Sequence, residues 1–358
     1  MSDAAALTVV LGGGGVGKTT TSAALGLAHA RAGRRVLVVT VDPARRLADA
    51  LGVEIGIEAC RVEVGGTALH ARMPDSRRSV DRFAEWLFED PEALGRVREN
   101  GMYRELGNSL AGVHELISIA FVDHELGSGL YDEVVLDTAP SRHALEFLDY
   151  PARLGRMLEA RTLEWVAGLA RLAGAALDER PGERGLISWG KKRVGNLVSH
   201  IVGAQAIRDI AALFAEFVPV RGRWLSLVQS VERRMRSPDT RYVIVSGPSG
   251  SSLDDAAYLV DELRARSLSP SEILLNRAVD EIPPWLEALD EGAAPELGPA
   301  LRAYRSEFLA RALQTRIARE RLADLASAKL PVRGLPALRT ADPRAILEAL
   351  ATALVVPV

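Results

Sequence analysis

The sequence predicts an α/β protein: a doubly wound, mostly parallel sheet that carries a helical insertion. Three observations predict it. Short apolar runs alternate with helix-like stretches from the start of the chain. A run of consecutive glycines joins the first apolar run to the first helix-like stretch. Residues 151–236 hold no strand-like run and instead repeat apolar residues at helical spacing. Strand, glycine loop, helix and strand in close succession argue for parallel pairing through crossover connections.

The elements follow in order. Leu7–Leu11 is an apolar run ahead of the glycines, read as a buried strand. Lys18–Ala32 is alanine-rich and helical, and Gly33 suits its C-terminal stop. Arg35–Thr40 is a second buried strand. Asp42–Leu51 reads as a helix, with Asp42 at the cap, Pro43 in the first turn and Gly52 at the end. Residues 67–73 are strand-like and 76–126 mostly helical. Glu133–Leu136 is a buried strand ending at Asp137. Tyr242–Ser246 and Ile273–Asn276 are two more, separated by a helix at Asp254–Arg266, and a last helix lies around Arg344–Leu354. Within 151–236, Val194, Leu197, Val198, Ile201, Ile207, Ile210, Leu213, Phe214 and Phe217 recur mostly at spacings of three or four, as on one helix face. The expected organisation is a single domain over 1–358 with the insertion at 151–236.

Composition narrows the class. With 358 residues, 48% of them apolar, the chain can bury a full core. A quarter of the residues are charged and the net charge is −3, which excludes a disordered or nucleic-acid-coating protein. No apolar run spans a bilayer, and the N-terminus lacks a signal-like core, so a cytoplasmic location is expected. The single cysteine, Cys60, excludes a disulfide framework within one chain and any Cys₄ site built by one chain. Only four of the 44 cations are lysines: Lys18, Lys191, Lys192 and Lys329. A merely solvated cation here would more often be arginine, so the lysine at position 18 carries information.

Gly12-Gly-Gly-Gly-Val-Gly-Lys18-Thr19 fits the phosphate-loop pattern G-x-x-x-x-G-K-[ST]. Glycines let the backbone turn tightly and aim its N–H groups at phosphate oxygens. The helix that follows presents its positive end to the same anion. Lys18 adds a point charge at the β and γ phosphates, and the Thr19 hydroxyl ligates Mg²⁺. Gly14, Gly15, Val16, Gly17, Lys18, Thr19 and Thr20 are the expected nucleotide-binding residues, with ATP and Mg²⁺ as cofactors.

Three further segments carry a family resemblance. Val41-Asp-Pro-Ala-Arg-Arg-Leu-Ala-Asp-Ala-Leu51 resembles the switch I segment of the arsenite-pump and tail-anchored-protein-targeting ATPases, the ArsA-type anion-transporting ATPases. Asp137-Thr138-Ala139-Pro140-Ser141-Arg142-His143 resembles their switch II, usually Asp-Thr-Ala-Pro-Thr-Gly-His. Ile273-Leu-Leu-Asn276-Arg277 resembles their adenine-contacting strand end. The motifs occur in the family's order, with its helical insertion between the second and third. The resemblance implies a dimeric ATPase whose subunits open and close over nucleotide. By position, Asp42 orients or deprotonates the attacking water beside Lys18, and Asp137 joins Thr19 in holding Mg²⁺, through water. Asn276, and Pro336 in the loop Leu335–Leu338, frame adenine. Asp42, Pro43, Asp137, Thr138, Ala139, Pro140, Arg142 and His143 form the switches. The residues alone also admit plainer roles. Asp42 can be an N-cap, Asp137 a turn residue, Asn276 a strand end and His143 a packed side chain. His114 and His124, ten apart, match no metal spacing.

The chain departs from the family in ways that bear on function. The family's loop reads Gly-Lys-Gly-Gly-x-Gly-Lys-Thr, and its first lysine reaches the partner's phosphates; here that position is Gly13. A cation donated in trans is worth roughly 10³–10⁵ in rate in related hydrolases. Three replacements are open, in this order: Arg142, Arg45 or Arg46; a lysine from a homologous partner in a heterodimer; or slow hydrolysis, with binding as the signal. No Cys-x-x-Cys pair is present, so no interface zinc is expected, and one cysteine does not support activation by arsenite. Met157 and Met235 are the only methionines in 151–236, which leaves capture of a tail-anchored client open.

The leading expectation is an ATP-driven conformational switch, homodimeric or heterodimeric, acting on a protein client or membrane partner. The alternatives are a partitioning or positioning ATPase and a weakly hydrolysing regulatory subunit. Lys191-Lys192-Arg193 is the only basic cluster, so no nucleic-acid partner is expected. Asn276-Arg-Ala-Val lacks the acidic residue of the usual guanine motif, which favours ATP over GTP.

Overall fold

A computed structural model describes residues 5–41, 44–73, 76–104, 113–139, 145, 204–287, 299–325 and 330–355. The chain divides into two compact units: residues 1–74, 121–146 and 234–358 form one, and residues 75–120 and 147–233 the other.

The first unit is built on an eight-stranded sheet. Its strands are β1 (Ala6–Leu11), β2 (Val36–Thr40), β3 (Cys60–Val64), β4 (Thr67–Arg72), β5 (Glu133–Asp137), β6 (Thr240–Ser246), β7 (Pro270–Ala278) and β8 (Val332–Pro336). They lie in the order β3-β4-β2-β5-β1-β6-β7-β8, parallel throughout except for the β3–β4 hairpin. This is the doubly wound sheet that the alternation of apolar runs implies. β1 sits centrally, with β5 and β6 on its two sides, so the chain winds outward in both directions from it. A crevice opens at that point beyond the carboxyl ends of the strands, where ligands bind in such sheets.

Burial explains why the central strands read as unbroken apolar runs. Val10, Val36, Val38, Val135, Val243 and Val245 pack with α1 (Lys18–Arg31) and α2 (Arg46–Leu51), and with a C-terminal helix, Pro343–Leu354. The alternate residues Val9, Leu11, Leu37, Val39, Leu136 and Ile244 point to the opposite face, yet they too are buried. A strand buried on both faces has no polar face to alternate with.

Two edge strands escape that pattern. β3 exposes Arg61 and Glu63, and Gly65 and Gly66, both at positive φ, make the tight turn into β4. Charged side chains on such an edge discourage pairing with another chain. β8 contains Gly334 and ends in Pro336, residues that strands tolerate at an edge. Pro336 therefore closes a strand, whereas the sequence reading placed it in a loop. Pairing with β7, whose central residues Ile273, Leu274 and Leu275 are apolar and fully buried, recruits this otherwise poor strand.

The remaining helices, in chain order, are α3 (Ser76–Leu87), α4 (Pro91–Glu99), α5 (Val113–Gly127), α6 (Ala204–Met235), α7 (Gly250–Ala265), α8 (Pro284–Glu287), α9 (Pro299–Leu325) and α10 (Pro343–Leu354). α10 packs against α1 and α2. Ser249 caps α7 and Asp342 caps α10, each accepting a backbone N–H from the first turn. In the second unit, edge-on contacts join Phe83 to Trp224, Phe88 to Phe217, and Phe217 to Trp224. Arg96 clamps Glu216 through two hydrogen bonds of 2.6 and 3.0 Å. Phe217 and Trp224 thus pack inside their own unit. Of the insertion expected at 151–236, residues 151–203 lie outside the described residues; the rest is α6. Among the described residues no helix is long and apolar enough to cross a membrane.

Candidate nucleotide-binding site

β1 ends at Leu11, the glycine loop follows, and α1 starts at Lys18 behind Gly17. Three neighbours press on this loop from outside. A β-carbon on Gly12 would collide with the backbone carbonyl oxygen of Val245 in β6. One on Gly13 would meet the carboxylate of Asp255 in α7. One on Gly17 would meet the side-chain amide of Asn276 in β7, and Gly17 also sits in the left-handed region at φ 91°. The glycines at these positions are set by close approach as well as by turning. Gly14 and Gly15 are exposed and have nothing within contact range of a β-carbon.

Lys18 is almost fully buried, and its ammonium group donates to the carbonyl oxygen of Gly13 at 3.1 Å. Asp137, at the end of β5, is completely buried. Register brings it beside Val10 of β1 and Thr40 of β2, on the sheet face covered by α1. Its carboxylate accepts from the Thr40 hydroxyl at 3.0 Å and the Ser22 hydroxyl at 3.2 Å. Burial pushes the Asp137 carboxyl above its ordinary value; hydrogen bonds from Thr19, Thr40 and Ser22 and the charge of Lys18 pull the other way. Thr138 is tied back to β1, its hydroxyl donating to the Val10 carbonyl at 2.7 Å. Ala139 follows directly.

At the other side of the loop, the Asn276 amide is engaged through both its nitrogen and its oxygen. Its nitrogen donates to the Val16 carbonyl at 2.8 Å, and its oxygen accepts from the Arg277 backbone N–H at 2.9 Å. One amide thus ties the end of β7 to the phosphate loop. A cavity of about 580 Å³ opens here, lined by Gly15, Gly17, Lys18, Thr19, Thr20, Arg46, Asp49, Asn276, Arg277 and Pro336. Its apolar wall is Leu338, Ile346 and Leu350. The loop amides, Lys18 and the arginines in this lining suit a phosphate group, and the apolar side chains suit a flat ring. The oxygen donors at Thr19 and Asp137, with no sulfur or imidazole beside them in that hydrogen-bonded set, suit a hard divalent cation such as Mg²⁺.

Of the residues expected from sequence, Gly15, Gly17, Lys18, Thr19, Thr20, Asn276 and Pro336 line one cavity. Val16 joins them through its bond to Asn276, and Asp137 through its bond to Thr19. Asp42, Pro43, Pro140, Arg142 and His143 lie outside the described residues. Among the arginines considered as replacements for the absent lysine, Arg46 lines the cavity. Arg45 is exposed and lies 3.9 Å from Glu54. Sequence reasoning did not find Ser22, Thr40 or Asp255, because they touch the site from elements whose placement depends on the sheet order.

A glycine loop after the central strand, a lysine at the helix start and a buried aspartate at the end of the neighbouring strand define a P-loop nucleotide hydrolase. Comparison with known proteins narrows the class. Residues 6–179 match the family model described as anion-transporting ATPase. The chain is 30% identical over 268 residues to the ATPase get3 of Aspergillus terreus, covering 74% of this chain and 71% of that one. It is 34% identical over 212 residues to the ATPase GET3 of Paracoccidioides brasiliensis, covering 58% of this chain and 59% of that one. The ATPase get3 of Schizosaccharomyces japonicus is 28% identical over 268 residues. The chain belongs to the anion-transporting ATPase family, and it is an ATPase.

Proposed function

We propose that this ATPase is a conformational switch: nucleotide binding closes an assembly of two homologous subunits, and hydrolysis reopens it. The observation that carries the reading is the convergence of the phosphate loop, Asn276 and Pro336 on one cavity, with the buried Asp137 bonded to Thr19 beneath it. In this reading the loop amides and Lys18 hold the β and γ phosphates, and Asn276 and Pro336 frame adenine. Thr19 and Asp137 hold Mg²⁺, Asp137 through water. When bound, Mg²⁺ neutralises charge that develops on the transferring phosphoryl group. Asp42 positions the attacking water. Pro43, Thr138, Ala139, Pro140, Arg142 and His143 complete the segments that respond to the γ phosphate. The insertion expected at 151–236 contacts a protein client or a membrane partner.

Turnover of ATP by purified protein tests this. Lys18→Ala abolishes turnover. Asp42→Asn keeps nucleotide affinity and lowers turnover by about a hundredfold or more, since water activation is worth that much. An Asp42→Asn variant hydrolysing at the normal rate removes Asp42 from catalysis.

One observation favours a second reading, a weakly hydrolysing member of a heterodimer. Position 13 is glycine and so carries no cation for a partner's phosphates, and the Asp255 carboxylate stands where a β-carbon there would project. Turnover measured alone and with a homologous partner separates the two: a rise on mixing, absent with either protein alone, supports the heterodimer.

A further inference from the structure

We propose that Arg277 packs its guanidinium against the base of the bound nucleotide, and that the irregular end of β7 serves to aim it there. The inference rests on the nucleotide-site reading above.

The pairing of β7 with β8 slips where this residue lies. Leu275 pairs with Gly334, and the next pair joins Ala278 to Pro336. β7 therefore spends three steps where β8 spends two, and the additional residue falls at Asn276–Arg277. A bulge of this kind re-aims side chains and recurs beside binding sites. Arg277 has φ 59°, a left-handed conformation that residues with a β-carbon avoid. Such a conformation persists only where the surroundings over-determine it. Here Asn276 does so: its oxygen holds the Arg277 N–H while its nitrogen holds Val16. The same amide fixes the phosphate loop and the direction of Arg277.

Among the described residues, no partner gives the side chain so aimed a structural task that would explain the strain. Arg277 is exposed and lines the cavity. Among the described residues its guanidinium makes no ion pair or hydrogen bond. Pro336, which pairs next in register, and Leu338, Ile346 and Leu350 form the apolar part of the same cavity. A guanidinium is planar and weakly hydrated, and it stacks on aromatic faces. A purine lying between that plane and the apolar wall has both faces covered, while its triphosphate reaches the loop. Stacking adds affinity and is indifferent to the ring's hydrogen-bonding edge, so Arg277 strengthens binding and leaves the choice of base to other groups.

The test is calorimetry with Mg²⁺ on the full chain, using ATP and inorganic tripolyphosphate as probes, with melting temperatures measured without nucleotide. Arg277→Gly weakens ATP binding about three- to tenfold and leaves tripolyphosphate affinity unchanged. It also raises the melting temperature by about 1–2 °C, because glycine accepts the left-handed conformation without strain. Arg277→Ala loses the same ATP affinity without that rise. Equal ATP affinity in wild type and Arg277→Gly overturns the proposal while leaving the nucleotide site intact. A parallel loss of ATP and tripolyphosphate also overturns it, by assigning the guanidinium to phosphate. Absence of ATP binding in the wild-type protein instead overturns the site reading itself.

Discussion

At the scale of single residues, the phosphate loop separates two reasons for glycine. Gly17 needs both of them: its φ of 91° is left-handed, and Asn276 stands where a β-carbon would go. Gly17→Ala therefore costs about 1–2 kcal/mol of stability from backbone strain alone, and it displaces the amide that holds Val16. Gly12→Ala meets a backbone carbonyl, which yields less readily than a side chain, and costs about 1–3 kcal/mol. Gly14→Ala meets nothing and changes stability by less than about 0.5 kcal/mol. Urea denaturation of the three variants checks the ranking. A Gly17→Ala protein as stable as Gly14→Ala would refute the account of the loop given by its neighbours. The phosphate-loop pattern asks for glycine at 12 and 17 and leaves 14 free. The placement of Val245 and Asn276 around the loop supplies the physical reason.

At the scale of elements, the opposite end of the sheet carries a buried charge cluster that fastens α1. Glu133 opens β5 and is completely buried. It accepts from the Thr8 hydroxyl at 2.7 Å, and it pairs with Arg34. His29 Nδ1 lies 2.9 Å away, off the geometry of a good hydrogen bond. Burial acts to raise the Glu133 carboxyl, but His29, Thr8 and Arg34 outweigh it and hold the group below its ordinary value. Its folded pKa being depressed, its contribution to stability is present above the unfolded value of about 4.3. That contribution fades as pH falls through the lower, folded value. Glu133→Gln lowers stability at neutral pH by about 2–3 kcal/mol, because it leaves Arg34 without its charge partner, and it flattens the acid limb of the stability profile. Urea midpoints of both proteins between pH 3 and 7 check this; parallel profiles would show that Glu133 contributes no linkage. The element pattern itself was largely legible. β1, α1, β2, β4, β5 and the helices α7 and α10 fall close to where apolar runs, glycines and caps place them. β3 and β8 were not, because edge strands that carry charges, glycine and proline have no apolar signature of their own. They become strands by pairing with β4 and β7.

For the molecule as a whole, the open matter is how fast a subunit with Gly13 hydrolyses ATP. The site geometry adds a constraint: Asp255 occupies the side-chain space of position 13. A lysine introduced there meets a carboxylate of its own chain before it reaches a neighbouring subunit. Gly13→Lys alone therefore leaves turnover within about twofold of wild type, whereas Gly13→Lys combined with Asp255→Ala raises it about tenfold or more, since a trans cation acts on the transition state. Steady-state turnover at several protein concentrations checks this. A double variant no faster than the single one would mean that the charge already reaches the phosphates from elsewhere, Arg46 being one of the described cations that line the cavity.

The sequence by itself determined the doubly wound class, the phosphate loop with Lys18 and Thr19, the buried aspartate ending β5 and the strand that carries Asn276. Each depends on local chemistry: a turn only glycine makes, a charge a phosphate demands, or an apolar run too short for a helix. The tertiary structure decided that Asn276 is bonded to the loop, that Asp255 closes off position 13, that Arg277 is turned into the cavity by a bulge, and that two weak segments are strands. These are contacts between residues more than a hundred positions apart, or pairings across a sheet edge. They follow from the order in which strands assemble, which no single segment of the chain encodes.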